Sequence, residues 1–231
     1  MTNKILVFDC GDTLLRLVPD KVTTCHGVLH ARGIGVSKER IADAYRIAEA
    51  VLPRRSSLEG TRQAQTAFYQ TFNRNLCVQL GLESRWAELD PVLQKAFGTK
   101  PHWVPYPEVV SVLTTLTETA TMHVLANWDQ QLEIRLAEAG LTSFFRSIHA
   151  SAVLGAEKPD PVIFARFLAL HDYRGEQCIY IGNDYGADVV GSRNAGLLPV
   201  LVDREKRYDH ADCPVLSSLK ELPEWLARIE M

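Results

Sequence analysis

A short stretch near the N-terminus, KILVFDCGDTLL at residues 4–15, runs four apolar residues straight into a carboxylate, Asp9, with a second acid at Asp12. Other polar residues stand where later apolar runs end. Asn127 closes HVLAN, Lys158 lies in GAEKPDP, and Asp184 and Asp188 follow CIYIG. Brought together, such residues suit one chemistry. Converging carboxylates hold a hard divalent cation through oxygen. A lysine beside them neutralises a bound anion, and an exposed carboxylate with such neighbours acts as a covalent nucleophile. Singly, each has a plainer reading: Asp9 as a turn residue, Asp188 as an acid favouring a helix N-terminus, Lys158 as a surface charge, Asn127 as a helix cap. Their joint placement on one sheet edge makes them a candidate site, because open parallel sheets bind ligands outside the carboxyl ends of their strands.

The elements that must position them follow from the apolar pattern. Residues 4–9 read as a short buried strand. From about 20 to 97 the signals are almost purely helical. Ser37 caps KERIADAYRIAEAV, and Thr61 opens a helix with Phe68, Phe72, Leu76 and Leu80 on one face and Gly81 as its stop. Asp90 caps a further helix, with Pro91 in its first turn and Gly98 at its end. After the proline-rich connection TKPHWVPYP, strands TMHVLAN, SIHA, QCIYIG and LPVLV alternate with helices EVVSVLTTL, WDQQLEIRLAEAG, PVIFARFLALH, ADVVGSRNAG and SLKELPEWLARI. Asp160 and Pro161 suit the start of PVIFARFLALH. Alternation predicts an α/β fold: a Rossmann-like, mostly parallel sheet core interrupted after its first strand by an all-helical insert. The core is expected at residues 1–16 and 98–231 and the insert at 17–97.

Bulk properties bound the partners. The chain has 231 residues, 46% apolar and 23% charged, enough for a sizeable core in a large domain or a domain with an insert. A net charge of −3 implies no strong attraction to nucleic acid or to an anionic membrane. The mixed run DREKRY near residue 205 reads as a solvated loop. No secretory signal and no membrane-spanning run of roughly 20 apolar residues is expected. The five cysteines, at 10, 25, 77, 178 and 213, lack paired spacing, which argues against a disulfide framework or a zinc site. Reduced thiols and a cytoplasmic location are the expectation. The seven histidines read as dispersed.

In this order the motifs resemble the haloacid dehalogenase (HAD) superfamily of hydrolases. The resemblance runs along the whole chain, and the helical insert looks like the family's mobile cap. FDCGDTLL resembles the first motif, which implies Asp9 as nucleophile and Thr13 as its supporting residue. VLANWD resembles the second and implies Asn127 at the substrate. EKPDP resembles the third and implies Lys158 as the charge-balancing, substrate-binding lysine. IGNDYGADVVGSRNAG resembles the fourth, the metal-site motif. It implies Mg2+ held by Asp9, the carbonyl of Gly11, and Asp184 or Asp188, with Asp188 also in the catalytic group.

The sequence departs from the family pattern at three places. Gly11 stands where the family's phosphatases usually carry the acid that protonates the leaving group, and the acid comes one residue later, at Asp12. If the chain is still extended there, residues 9, 11 and 13 share a face and Asp12 points the other way, which a turn would override. Ala126 stands where the second motif offers a hydroxyl, and Asn183 where the fourth has an acid. Three functions stay open. One is a metal-dependent phosphatase working through an aspartyl-phosphate on Asp9. Another is a haloacid dehalogenase-like enzyme, whose Asp9 attacks carbon and expels halide without proton or metal. The last is a catalytically degenerate binding protein. The expected partner is a small anionic substrate, with neither nucleic acid nor membrane, and the oligomeric state is left open. Arg54, Arg55 and Arg62 ring a loop-like turn that is either a solvated basic loop or an anion contact. Trp103, Tyr106 and Cys10 read as packing residues. RGIGVS lacks the third glycine and preceding strand of a dinucleotide fingerprint, so Gly33 reads as a helix stop.

Overall fold

The computed structural model describes residues 4–51, 62–98 and 102–229. The run that ends at Asp9 forms β1 (Lys4–Phe8), with Leu6, Val7 and Phe8 fully buried. A strand covered on both faces needs such a continuous apolar run. β1 pairs in parallel with β4 (Ala120–Ala126) on one side and β6 (Cys178–Gly182) on the other. With β5 (Ser147–Ala150), β7 (Leu198–Val202) and β8 (Val215–Leu216), the described sheet runs β5-β4-β1-β6-β7-β8, every pair parallel. The chain builds outward through β4 and β5, then returns to start the other half at β6. The order therefore reverses between β1 and β6, the place where open α/β sheets bind ligands.

The helices of this core include α5 (Val109–Leu116) and α8 (Pro161–His171). Asp160 caps α8 by accepting from the Val162 N–H at 3.0 Å, with Pro161 in the first turn. α8 then buries Ile163, Phe164 and Phe167 against Val7, Leu125, Cys178 and Tyr180 of the sheet. The helix expected over ADVVGSRNAG begins instead as a π-helical turn, Tyr185–Val190, before α9 (Gly191–Asn194).

The chain divides into two compact units, Met1–Arg16 with Val104–Met231, and Leu17–Trp103. The first holds the six-stranded sheet. The second holds α1 (Lys21–His30), α2 (Lys38–Ala50), α3 (Arg62–Leu80) and α4 (Trp86–Gly98), packed around Leu29, Ile41, Tyr45, Phe72, Leu76 and Leu93. α4 corrects one expectation. A 3-10 turn at Glu83–Arg85 leads straight into it, so it starts before Asp90 and Pro91 lies inside. Asp90 is buried and ties helices together rather than capping one, accepting from Asn73 Nδ2 at 2.8 Å and Gln94 Nε2 at 2.9 Å. The stretches that join the units also hold two unexpected short strands, β2 (Leu15–Val18) and β3 (His102–Pro105), which pair with each other. None of the described helices is long and apolar enough to cross a membrane.

Three of the histidines are not dispersed in space. β4 and β5 place His123 opposite Ser147, and α8 ends at His171. His123 Nδ1, His149 Nε2 and His171 Nε2 lie 2.7, 2.8 and 3.0 Å from Ser147 Oγ. Among the described residues, no group of three or more His, Cys, Asp or Glu side chains is arranged to hold a metal ion.

Candidate active site

β1 stops at Phe8 and the chain turns at once. The N–H groups of Leu14 and Leu15 both donate to the Cys10 carbonyl at 2.9 Å, and the Asp12 N–H donates to the Leu15 carbonyl at 2.7 Å. The condition that put Asp9, Gly11 and Thr13 on one extended face therefore does not hold. Asp12 adopts the left-handed conformation, φ 59°, and its side chain is exposed. Aspartate is one of the few residues enriched in that region. The turn carries buried Thr13 back to Asp9, with Oγ1 at 3.2 Å from Asp9 Oδ2 and 3.0 Å from Asn183 Oδ1. One hydroxyl proton serves only one of these acceptors at a time. Asp9 retains 8% exposure, so the carboxylate is held but reachable.

Lys158 arrives from the loop before α8 and is buried. Its ammonium meets three acceptors, Asp188 Oδ1 at 2.6 Å, Asp9 Oδ1 at 2.7 Å and the Tyr180 hydroxyl at 2.7 Å. Those match its three protons one for one. Burial alone would depress the Lys158 pKa, but the Asp188 and Asp9 carboxylates outweigh it and hold the group well above the ordinary lysine value. Asp188 is pushed the other way. Burial raises it to about 6 against the pull of Lys158, with the Asp9 charge adding to the rise. Cys10 is raised well above the usual thiol value by burial, then by Asp9, and so is a buried neutral thiol.

Asn127 sits just past β4, and both ends of its amide are engaged by the Lys158 backbone. Its oxygen accepts from the Lys158 N–H at 2.8 Å, and its nitrogen donates to the Lys158 carbonyl at 2.9 Å. Its visible work is to pin the loop that carries the lysine. The two acids of the fourth motif part company. Asp188 turns inward, its Oδ2 accepting the Asp184 N–H at 2.9 Å. A Cβ at Gly182 would lie 2.2 Å from that oxygen, so only glycine leaves room for the carboxylate. Asp184 is exposed and caps the following turn, accepting from the Ala187 N–H at 2.7 Å. The residue of this motif bonded to Thr13 is Asn183.

The site therefore holds one ammonium between two carboxylates. Asp9 Oδ2 and Asn183 Oδ1 both lie within hydrogen-bond distance of Thr13 Oγ1. Mg2+ keeps several waters and needs only one or two protein carboxylates beside a substrate phosphate. These hard oxygen donors fit such an ion. Gly11 lies in the same turn, bridged to Leu15. Neither Asp184, turned to its cap, nor Asp188, committed to Lys158 and the Asp184 N–H, joins Asp9 in a cluster of three carboxylates.

Further residues escape the sequence pattern. Tyr180 reads as one more buried strand residue, although a phenol in an apolar run signals a partner to be found. The run DREKRY, expected to be a solvated loop, is partly built in. Asp203 is buried and takes the Arg207 and Tyr208 N–H groups at 3.0 and 2.9 Å. Arg204 pairs with buried Glu108, lies 3.7 Å from the centre of the Tyr106 ring and donates to the Thr13 carbonyl at 3.1 Å. Tyr106 thus packs against a cation rather than against apolar side chains alone. Arg54 and Arg55, and the side chain of Arg62, lie outside the described residues.

Comparison with known proteins defines the class. The model of the haloacid dehalogenase-like hydrolase family matches residues 3–196, and the chain belongs to that family of hydrolases. It is 27% identical to haloacid dehalogenase-like hydrolase domain-containing protein 3 of Danio rerio over 94% of each chain. It is 32% identical to a glyceraldehyde 3-phosphate phosphatase of Methanopyrus kandleri over 46% of each. A solved structure with the same fold is a HAD-hydrolase, YfnB from Bacillus subtilis, bound to magnesium. It has a TM-score of 0.74 at 19% identity, covering 98% of this chain and all of that one.

Proposed function

We propose that the protein is a metal-dependent phosphatase acting on a small anionic phosphate ester through Asp9. One Asp9 oxygen attacks phosphorus. The new O–P bond gives an aspartyl-phosphate as the bond to the leaving oxygen breaks, and water then releases inorganic phosphate. Phosphoryl transfer asks the protein mainly for positioning and charge neutralisation. The observation that carries the reading is Asp9 itself: a reachable carboxylate at the switch point, with one oxygen fixed 2.7 Å from Lys158 and the other 3.2 Å from Thr13. Lys158 neutralises the arriving phosphoryl group, Thr13 orients Asp9, Asn127 sets the lysine loop, and Asp188 anchors the ammonium from behind. Mg2+ would be held by Asp9, the Gly11 carbonyl and Asn183, and when bound it supplies positive charge to the phosphoryl oxygens. The helical unit takes the role of the cap that selects the substrate. The phosphatase named among the relatives supports this class of reaction.

The test is a panel of phosphate esters and 2-haloacids, each with and without Mg2+, on wild type and Asp9→Asn. Phosphate release that requires both Mg2+ and Asp9 is expected. Metal-independent halide release would make the enzyme a dehalogenase, and no turnover of either class would refute the catalytic reading.

A further inference from the structure

Tyr180 is assigned no role by the motifs, yet its hydroxyl lies between Lys158 and the sheet. Resting on the phosphatase reading, we propose that Tyr180 is a positioning residue that fixes the direction in which Lys158 presents its charge at Asp9. The phenol accepts from Lys158 Nζ at 2.7 Å and donates to the Leu125 carbonyl at 2.5 Å. Its ring is fully buried, edge-on to Phe164 with centroids 5.5 Å apart, so the hydroxyl has one place to be. Leu125 is two residues before Asn127, which holds the Lys158 backbone. The end of β4 thus grips Lys158 twice, directly at the backbone through Asn127 and at the ammonium through Tyr180.

This second grip matters because a lysine stem is flexible and its ammonium is a rotatable point charge. Two carboxylates alone leave the third N–H unassigned, and the ammonium is then free to turn and shift between them. A third acceptor on a rigid ring removes that freedom. A charge already in place when the phosphoryl group arrives costs no reorganisation at the moment of reaction. Tyr180 therefore acts through Lys158 and contributes to the chemical step, while substrate affinity is set elsewhere.

The comparison is wild type against Tyr180→Phe, which removes one oxygen and keeps the ring. With an aryl phosphate and Mg2+, kcat is expected to fall on the order of ten- to hundredfold, the scale of one hydrogen bond to a charged group, with KM within twofold. Nitrogen-15 NMR of the full chain supplies a readout independent of turnover. The Lys158 ammonium, held by three acceptors, should give a slowly exchanging signal in wild type that is lost in Tyr180→Phe. An unchanged ammonium signal, an unchanged kcat, or a change confined to KM or to the melting temperature would overturn the proposal. If wild type releases no phosphate from any ester, the phosphatase reading falls and the ammonium signal alone decides the positioning of Lys158. If Tyr180→Phe does not fold, 3-fluorotyrosine at residue 180 keeps the shape and weakens the phenol as an acceptor. A shifted Lys158 resonance supports the assignment, and an unshifted one overturns it.

Discussion

The histidine cluster carries a quantitative expectation about acid stability. His123 is fully buried in β4, its Nδ1 bonded to Ser147 and its Nε2 3.4 Å from the Tyr173 hydroxyl. Its ring faces His171, Phe167 and Tyr173 at 4.5, 5.4 and 5.6 Å between centroids. Burial, then the charges of His171, His149 and Arg146, lowers its pKa from 6.5 to about 4. The unfolded chain therefore takes up this proton first as pH falls. The stability from a neutral His123 is complete above about pH 6.5 and is lost on the way down to about 4. That gap, at roughly 1.4 kcal/mol per pH unit, is worth about 3 kcal/mol, of which about 2 kcal/mol is already lost at pH 5. Burial lowers His149 and His171 as well, so the cluster as a whole disfavours acid. The assay is urea unfolding of wild type and His123→Phe at pH 7.5 and 5.0. Carboxylates and the other two histidines titrate in both proteins, so the difference between them isolates His123. Wild type should lose about 2 kcal/mol more than the variant. Equal losses would refute the reasoning, because they would mean that His123 takes its proton at the same pH folded and unfolded.

Further expectations concern the site. Asn183→Asp should tighten Mg2+ binding in titration calorimetry about tenfold or more, since a full charge a few ångströms from a cation outweighs an amide dipole. Asp184→Asn, altering a residue that serves as a cap, should leave the affinity unchanged. Gly11→Asp should raise kcat/KM for alkyl relative to aryl phosphates, with a ceiling on the order of the 10²–10⁴-fold that a placed general acid contributes. Asp12→Asn should leave that ratio alone, and a collapse of alkyl-ester activity in Asp12→Asn would identify Asp12 as the acid. Asn127→Ala removes both bonds to the Lys158 backbone. It should cost about 1–3 kcal/mol of stability by chemical denaturation and lower kcat at the same time.

Pattern reveals elements in this chain and conceals directions. The buried strands around Asp9 and the Asp160–Pro161 start of α8 were legible because the apolar run and the cap are local features. β2 and β3 were not, because each is stabilised by the other across about 85 residues of sequence and neither is a continuously buried apolar run. The same limit governs the site. Asp184 and Asp188 look equivalent in sequence, and only a π-helical turn sends one to solvent as a cap and the other to Lys158. The histidines meet through the β4–β5 register and the length of α8, neither of which spacing along the chain records.

The turn after Asp9 is where this limit bears most on chemistry. Thr13 must return to Asp9 within four residues, and the Cys10–Leu15 turn that achieves this puts Asp12 in the left-handed region, while residue 11 is a glycine with no side chain to offer. One backbone geometry thus brings Thr13 to Asp9 and sets the conformation of Asp12. Asn183, at the place where the family's fourth motif has an acid, offers Thr13 an amide oxygen instead of a carboxylate. On the phosphatase reading, both features spare the attack of Asp9, which needs Lys158 and position, and weaken the steps that need an acid or a firmly held cation. On the phosphatase reading, the substrates best matched to the site are phosphates whose leaving group is stable as an anion.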